Sequence, residues 1–259
     1  MSSNETAGGP SDVTSAADFN EGATPFDAVT RAEAREIIAR YPDGRARSAL
    51  LPMLHLVQSI EGYVSPRGVE FCATMLGLTR AEVGAVVTFY TMYKRKPAGE
   101  FLVSVCTNTL CALLGGDEIY AALSERLGVA HNETTDDGSI TLEHAECLAA
   151  CDYAPVVMVN YEFFDQQTVA SAAELVDELR AGRRPEPTRG APLCTFRSVE
   201  RQLAGFVRPD DDALHSGPAG EPTLVGVRLA AELGQAAPGY DPATPIPSVP
   251  PKNSARKKS

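Results

Sequence analysis

The sequence lacks the apolar segments that carry a chain into or across a membrane. No apolar run approaches the roughly 18 residues that suggest a transmembrane helix. Residues 1–10 have neither the basic start nor the apolar core of a secretory signal. We therefore expect a cytoplasmic protein, in which thiols stay reduced and paired cysteines bind metal more often than they form disulfides.

The sequence also lacks the short motifs of nucleotide-binding and nucleophilic enzymes. It contains no G-x-G-x-x-G and no Walker A loop, and no Ser–His or Cys–His nucleophile stands out. The chain therefore shows no place for a hydride donor of its own. If it carries a redox centre, the electrons must arrive from another subunit.

Positive charge is scarce over most of the chain. The net charge is −11, and the excess of acidic residues lies in residues 1–182, whereas residues 183–259 are weakly basic. An acidic body disfavours nucleic acid and anionic membranes as partners. The weakly basic end is expected to lie on an acidic protein surface.

Composition divides the 259 residues into four segments. Residues 1–25 are rich in small and polar residues and are predicted to be a disordered leader. Residues 26–97 are predicted to form a helical domain, and residues 98–182 a small α/β domain. Residues 183–259 hold 12 of the 19 prolines and little periodicity apart from a short helical hint at residues 199–206, so we expect a long irregular tail that wraps a partner.

Capping signals predict four helices in the helical domain. Residues 30–33 and 79–82 both match the capping box Thr-x-x-Glu. A second helix is expected over residues 46–61, with Pro52 kinking it or marking its first turn. Ser65 before a proline is predicted to cap the third helix.

Residues 98–182 change to alternating strands and helices, as in thioredoxin-like folds with a four-stranded sheet. The predicted fold class is α+β, with a helical bundle, then a thioredoxin-like α/β domain, then the irregular tail. Strands are expected at residues 101–105, 139–143, 155–160 and 161–165, and helices at residues 117–127 and 169–181.

Four cysteines carry most of the functional information. Cys106 and Cys111 form a C-x4-C pair, and Cys147 and Cys151 a C-x3-C pair, each beside an apolar, strand-like run. Two thiol pairs on neighbouring loops can present four thiolates to one metal centre, which suits an iron–sulfur cluster. Six apolar residues are expected to shield it: Leu110, Leu148, Ala149, Ala150, Ala154 and Pro155.

Three other interpretations of the cysteines compete with this one. A structural zinc site usually has C-x2-C knuckles, which are absent here. Disulfides are disfavoured by the compartment, and a thioredoxin-like redox dithiol needs C-x-x-C. The spacing favours iron–sulfur ligation, while zinc stays the main alternative.

The remaining cysteines and two histidines are predicted to be structural. Cys72 falls in an apolar helix and is expected to be a small buried hydrophobe. Cys194 is expected to be buried by a partner, and His55 to be packed. His144 could replace a thiolate as in Rieske centres, but four cysteines already complete the ligand set.

The sequence resembles the thioredoxin-like [2Fe-2S] ferredoxins, and most closely the E subunits (NuoE type) of respiratory NADH:quinone oxidoreductase, complex I. The resemblance covers about residues 28–182. It rests on residues 105–111, 115–117 and 143–156 around the cysteines, and on residues 51–58, 62–65 and 87–93 in the helical part.

The resemblance implies that Cys106, Cys111, Cys147 and Cys151 bind one [2Fe-2S] cluster. It implies docking onto the F subunit, which carries FMN and the NADH site, and a place in the peripheral arm on the cytoplasmic side of the membrane, with the G subunit nearby. Within the family the alternative is the equivalent subunit of an NAD-linked formate dehydrogenase or hydrogenase. The alternative from another class is a zinc-stabilised assembly module.

Overall fold

The computed structural model describes residues 26–206, 220–239, 241 and 243–245. Within them no helix is long and apolar enough to span a membrane. The helices are α1 Ala28–Ala39, α2 Leu50–Glu61, α3 Pro66–Leu76, α4 Arg80–Phe89, α5 Thr109–Leu113, α6 Gly116–Leu127, α7 Val169–Arg180, α8 Phe196–Leu203 and α9 Glu221–Glu232. The strands are β1 Phe101–Cys106, β2 Glu133–Thr134, β3 Ile140–Ala145, β4 Val157–Val159 and β5 Glu162–Phe164.

Most of the predicted helix ends are found where the sequence placed them. Ser65 caps α3 with Pro66 in its first turn, and Thr79 and Glu82 form the capping box of α4. Pro52 lies in the first turn of α2, where its missing N–H costs no helical hydrogen bond.

The start of α1 differs from the prediction. The helix begins at Ala28, because the carboxylate of Asp27 accepts the Thr30 N–H at 2.8 Å and also the Thr30 hydroxyl. Thr30 therefore lies inside the helix, and the capping box predicted at residues 30–33 is wrong.

Helices α1 to α4 enclose one apolar core. Its largest fully buried members include Phe26, Ile37, Met53 and Leu54. Phe26 stacks on Phe71 of α3, with ring centroids 4.5 Å apart. Cys72 is fully buried among them, as predicted for a small hydrophobe.

The sheet is mixed and has the order β2-β3-β1-β4-β5. Strand β1 pairs parallel with β3 and antiparallel with β4. The sheet has one strand more than predicted. The extra strand, β2, is two residues long and is too short to show the alternation of apolar and polar residues that identifies a strand. The predicted α+β class is confirmed.

The two faces of β1 are covered by different elements. Phe101, Val103 and Val105 pack with α6 and α7 in one core. On the opposite face the Ser104 hydroxyl donates to Glu143 at 2.6 Å, and Glu143 pairs with Lys94 Nζ at 2.5 Å. Lys94 follows the helical bundle, so a partly buried ion pair joins the bundle to the sheet.

The segment expected to be irregular contains two helices, α8 and α9. Helix α8 packs along α2 with Phe196 and Val199 buried. The expectation that residues 183–259 lack regular structure is therefore corrected for these stretches. The predicted leader, residues 1–25, lies outside the described residues, as do residues 207–219.

Polar contacts fix α8 in place. Glu200 is fully buried, and its carboxylate lies 2.6 Å from His55 Nδ1 and accepts the Tyr161 hydroxyl at 3.3 Å. The guanidinium of Arg197 donates to the carbonyl oxygens of Ile60 and Glu61 at the end of α2. One helix of the tail thus ties α2 to the loop after β4.

Candidate metal centre

The topology of the sheet brings the four predicted ligands to one edge. Cys106 ends β1 and is in register with Ala145, which ends the parallel strand β3. The chain that follows β1 carries Cys111, and the chain that follows β3 carries Cys147 and Cys151. Because parallel strands end on the same side, both loops leave the sheet together.

The sulfur atoms form two pairs with different exposure. The residues Cys106 and Cys111 are only 2% and 3% exposed, and their side chains interact with each other. Cys147 Sγ lies 3.6 Å from Cys151 Sγ, and both residues are exposed. Cys151 interacts electrostatically with Cys106 and Cys111, so the two pairs lie near each other. Cys106 and Cys111 form the inner, buried pair, and Cys147 and Cys151 form the outer, exposed pair.

Backbone geometry around the thiols fits a thiolate-bound group. The N–H of Ala149, a residue with φ of 56°, donates to Cys147 Sγ at 3.4 Å. The Val156 backbone also makes a hydrogen bond to the side chain of Cys111. Amide donors to ligand sulfurs stabilise the thiolate form and tune a bound metal centre.

Gly116 allows the first loop to close. A Cβ at this position would lie 2.5 Å from the Cys106 carbonyl oxygen and 2.9 Å from that of Cys111. No other residue type fits that space without moving the backbone. The Gly-Gly pair at the start of α6 therefore serves the loop that holds two thiols.

Burial and pairing raise the pKa of two of the thiols. Burial, followed by the hydrogen bond with Cys106, raises the pKa of Cys111 to about 11. The hydrogen bond with Cys147 is the main reason that the pKa of Cys151 is raised. Both thiols hold their protons at neutral pH in the free chain, so metal binding must release them.

The thiols are arranged for a group wider than one ion. Over the part of the chain that the structure describes, no three potential ligands converge closely enough for a single metal ion. Two thiol pairs, one buried and one exposed, suit a centre with two irons, each held by two thiolates. A donor set of four cysteine thiols fits a [2Fe-2S] cluster.

An apolar layer surrounds the inner pair. Ala150 and Val156 are buried against it, with Leu148, Tyr153, Ala154 and Phe163 packed outside them. Leu110 was expected in this layer but is 41% exposed. With Leu113 and Leu114, also exposed, it forms an apolar rim along α5 and the residue that follows it.

The other singled-out residues lie outside the thiol group. The His144 ring stacks on His131, with centroids 4.0 Å apart, so it does not join the cysteines. Cys194 is half-buried by residues of its own chain, and the side-chain amide of Gln202 contacts its sulfur atom at 3.8 Å. The guanidinium of Arg189 lies over the Tyr153 ring. The sequence did not indicate this contact, because Arg189 lies 38 positions after Cys151.

Comparisons with known proteins identify the family of the chain. The model of the thioredoxin-like [2Fe-2S] ferredoxin family matches residues 34–180. The E subunit of NADH-quinone oxidoreductase from Mycobacterium bovis is 59% identical over 216 residues, which cover 83% of this chain and 84% of that protein. Subunit 2 of the NADH-quinone oxidoreductase from Thermus thermophilus is 38% identical over 58% of this chain and 84% of that protein.

Solved structures show weaker likeness. An NAD+-reducing [NiFe]-hydrogenase matches with a TM-score of 0.46 and 18% identity, over 51% of this chain and 23% of that chain. The alignment with the Mycobacterium bovis protein covers 216 residues, which is more than all the residues from the start of this chain to residue 180, where the family match ends. It therefore includes part of the C-terminal segment.

Proposed function

We propose that the one [2Fe-2S] cluster of this chain is bound by four cysteines: Cys106, Cys111, Cys147 and Cys151. The chain belongs to the thioredoxin-like [2Fe-2S] ferredoxin family and to the E subunits of NADH-quinone oxidoreductase. The observation that carries the assignment is the meeting of two thiol pairs at one sheet edge. Four cysteine thiolates are the usual ligands of such a cluster.

The chain is an electron-transfer subunit of a multi-subunit oxidoreductase. The bound cluster supplies one-electron chemistry, and the protein holds it and limits its contact with water. Cys106 and Cys111 close the side toward the core, whereas Cys147 and Cys151 are exposed. The exposed side is therefore the one that a partner carrying an electron donor can approach.

We infer that this partner is the F subunit, which in the family carries FMN and the NADH site, with the G subunit nearby. The apolar rim of Leu110, Leu113 and Leu114 supports a protein contact beside the thiols, because exposed apolar patches mark interaction sites. The absence of a dinucleotide motif agrees with electrons arriving from a neighbour. We place the chain in the peripheral arm, on the cytoplasmic side of the membrane.

The metal and sulfide content of anaerobically purified protein tests this function. We expect two irons and two sulfides per chain, with no EPR signal when oxidised and a signal after reduction by dithionite. One zinc and no sulfide would leave a structural assembly module instead.

A further inference from the structure

Two parts of the C-terminal segment meet at Tyr153, two residues after the ligand Cys151. The first is Arg189, whose guanidinium lies 4.6 Å from the centroid of the Tyr153 ring and 4.2 Å from that of Phe163. Asp165 holds this guanidinium through two hydrogen bonds, of 2.8 and 3.1 Å. Arg189 also forms a β-bridge with Phe163, so its backbone is fixed beside β5.

The second part is the start of α9. The Thr223 hydroxyl donates to the Asp152 carboxylate at 2.6 Å and lies 3.4 Å from the Tyr153 hydroxyl. Gly220, which precedes the helix, touches the same tyrosine so closely that an added Cβ would overlap its hydroxyl oxygen. Leu224 in the first turn is 4% exposed. The helix therefore sits directly on the ligand turn.

Tyr153 is mechanically coupled to the ligands. It ends the 3-10 turn Cys151–Tyr153, and its ring packs against the layer around Cys106 and Cys111. Its N–H donates to the Ala150 carbonyl oxygen at 2.9 Å. A displacement of Tyr153 therefore displaces the turn that carries Cys151.

We infer that the C-terminal segment is part of the protein shell of the cluster, and that Arg189, Gly220 and Thr223 are positioning residues that set its reduction potential. This inference rests on the proposed function. A nearby cation favours an added electron, and a hydrogen bond to Asp152 disperses a negative charge beside a ligand. Loss of either contact is therefore expected to lower the potential.

Arg189→Met tests the cation, and Arg184→Met is its matched control. Arg184 is an exposed arginine of the same segment that pairs with Glu100 instead. We expect Arg189→Met to keep two irons but to shift the midpoint potential to more negative values, because Asp165 is left without its cation. A tenfold change in the ratio of oxidised to reduced cluster corresponds to about 59 mV. An Arg189→Met protein with the potential and EPR spectrum of the wild type would overturn the role of Arg189.

Gly220→Ala, at the N-cap of α9, tests the contact of the helix, and Gly226→Ala makes the same substitution inside the helix as the control. A Cβ at Gly226 meets nothing within 4 Å. We expect Gly220→Ala alone to lower the potential and to speed hydrogen exchange of the amides in residues 147–153. Equal exchange and equal potential in the two variants would refute the inference for α9.

Iron and sulfide in the wild-type protein separate the two proposals. A wild type without iron overturns both the proposed function and this inference. A wild type with two irons, together with unshifted Arg189 and Gly220 variants, overturns the inference alone.

Discussion

The four proposed ligands differ in their surroundings, and this difference sets what each substitution should do. The buried pair Cys106 and Cys111 shares the apolar core, whereas Cys147 and Cys151 lie at the surface. Substituting an exposed ligand removes a thiolate with little effect on packing. Spectroscopic changes in such a variant therefore report on ligation.

Cys147→Ser is expected to lose or strongly perturb the cluster, because serine is a poor substitute for a soft thiolate ligand. Cys194→Ser is the control, since Cys194 is a cysteine remote from the proposed ligand set in sequence. Absorption and EPR spectra of the reduced proteins provide the measurement. Unchanged spectra in Cys147→Ser would remove Cys147 from the ligand set.

The buried pair of His55 and Glu200 makes a second prediction at this scale. Glu200→Ala leaves His55 without the carboxylate 2.6 Å from its Nδ1, and removing one partner of a buried hydrogen bond costs about 1–3 kcal/mol. The free energy of unfolding in urea measures the loss. Glu36→Ala, which breaks an exposed pair with Arg40, should have little effect. A loss no larger than that of Glu36→Ala would show that the buried pair contributes little.

At the scale of elements, short-range signals predicted most helix ends but not all. Thr79 and Glu82 form their capping box because both partners lie within one turn. Thr30 fails as a cap because Asp27, three residues earlier, takes that role. Cys111 lies in α5, a five-residue helix that is too short for apolar periodicity to reveal.

The cap of α1 predicts a pH dependence. Hydrogen bonds from the backbone N–H and hydroxyl of Thr30 hold the pKa of Asp27 below its usual range. The carboxylate therefore stabilises the fold at pH values above the unfolded-state pKa of about 4, and this contribution is lost as the pH falls through the folded-state pKa.

Asp27→Asn keeps a capping oxygen but cannot titrate. We expect its free energy of unfolding to fall less steeply than that of the wild type between about pH 5 and pH 2. Parallel pH curves for the two proteins would contradict the role of Asp27.

At the scale of the whole molecule, the C-terminal segment divides into parts with different effects. Residues up to Phe206 are built into the fold. The guanidinium groups of Arg40 and Arg201 lie 5.0 and 4.9 Å from the centroid of the Phe206 ring. Residues 183–206 include Phe196 of α8, which is fully buried. Removing them should damage the fold itself.

Truncation after Gly182 is expected to destabilise the protein by at least the loss typical of one buried phenylalanine, about 3–5 kcal/mol. Truncation after Phe206 keeps α8 and should leave the helical bundle at wild-type stability. Urea unfolding distinguishes the two, and equal stability of both truncated chains would show that α8 contributes little. Reduced binding of the F subunit by the chain truncated after Phe206 would support the expectation that the remaining C-terminal residues contact a partner.

The sequence by itself determined the α+β class, most helices and strands, and the two cysteine pairs. These features depend on periodicity, caps and spacing, which act over a few residues. Only the tertiary structure decided that α8 packs on α2, that Glu200 meets His55, and that Arg189 and Thr223 reach the Cys151 turn. Those contacts join residues that lie far apart in the chain, by as many as 145 positions for His55 and Glu200, and local patterns carry no record of such distant neighbours.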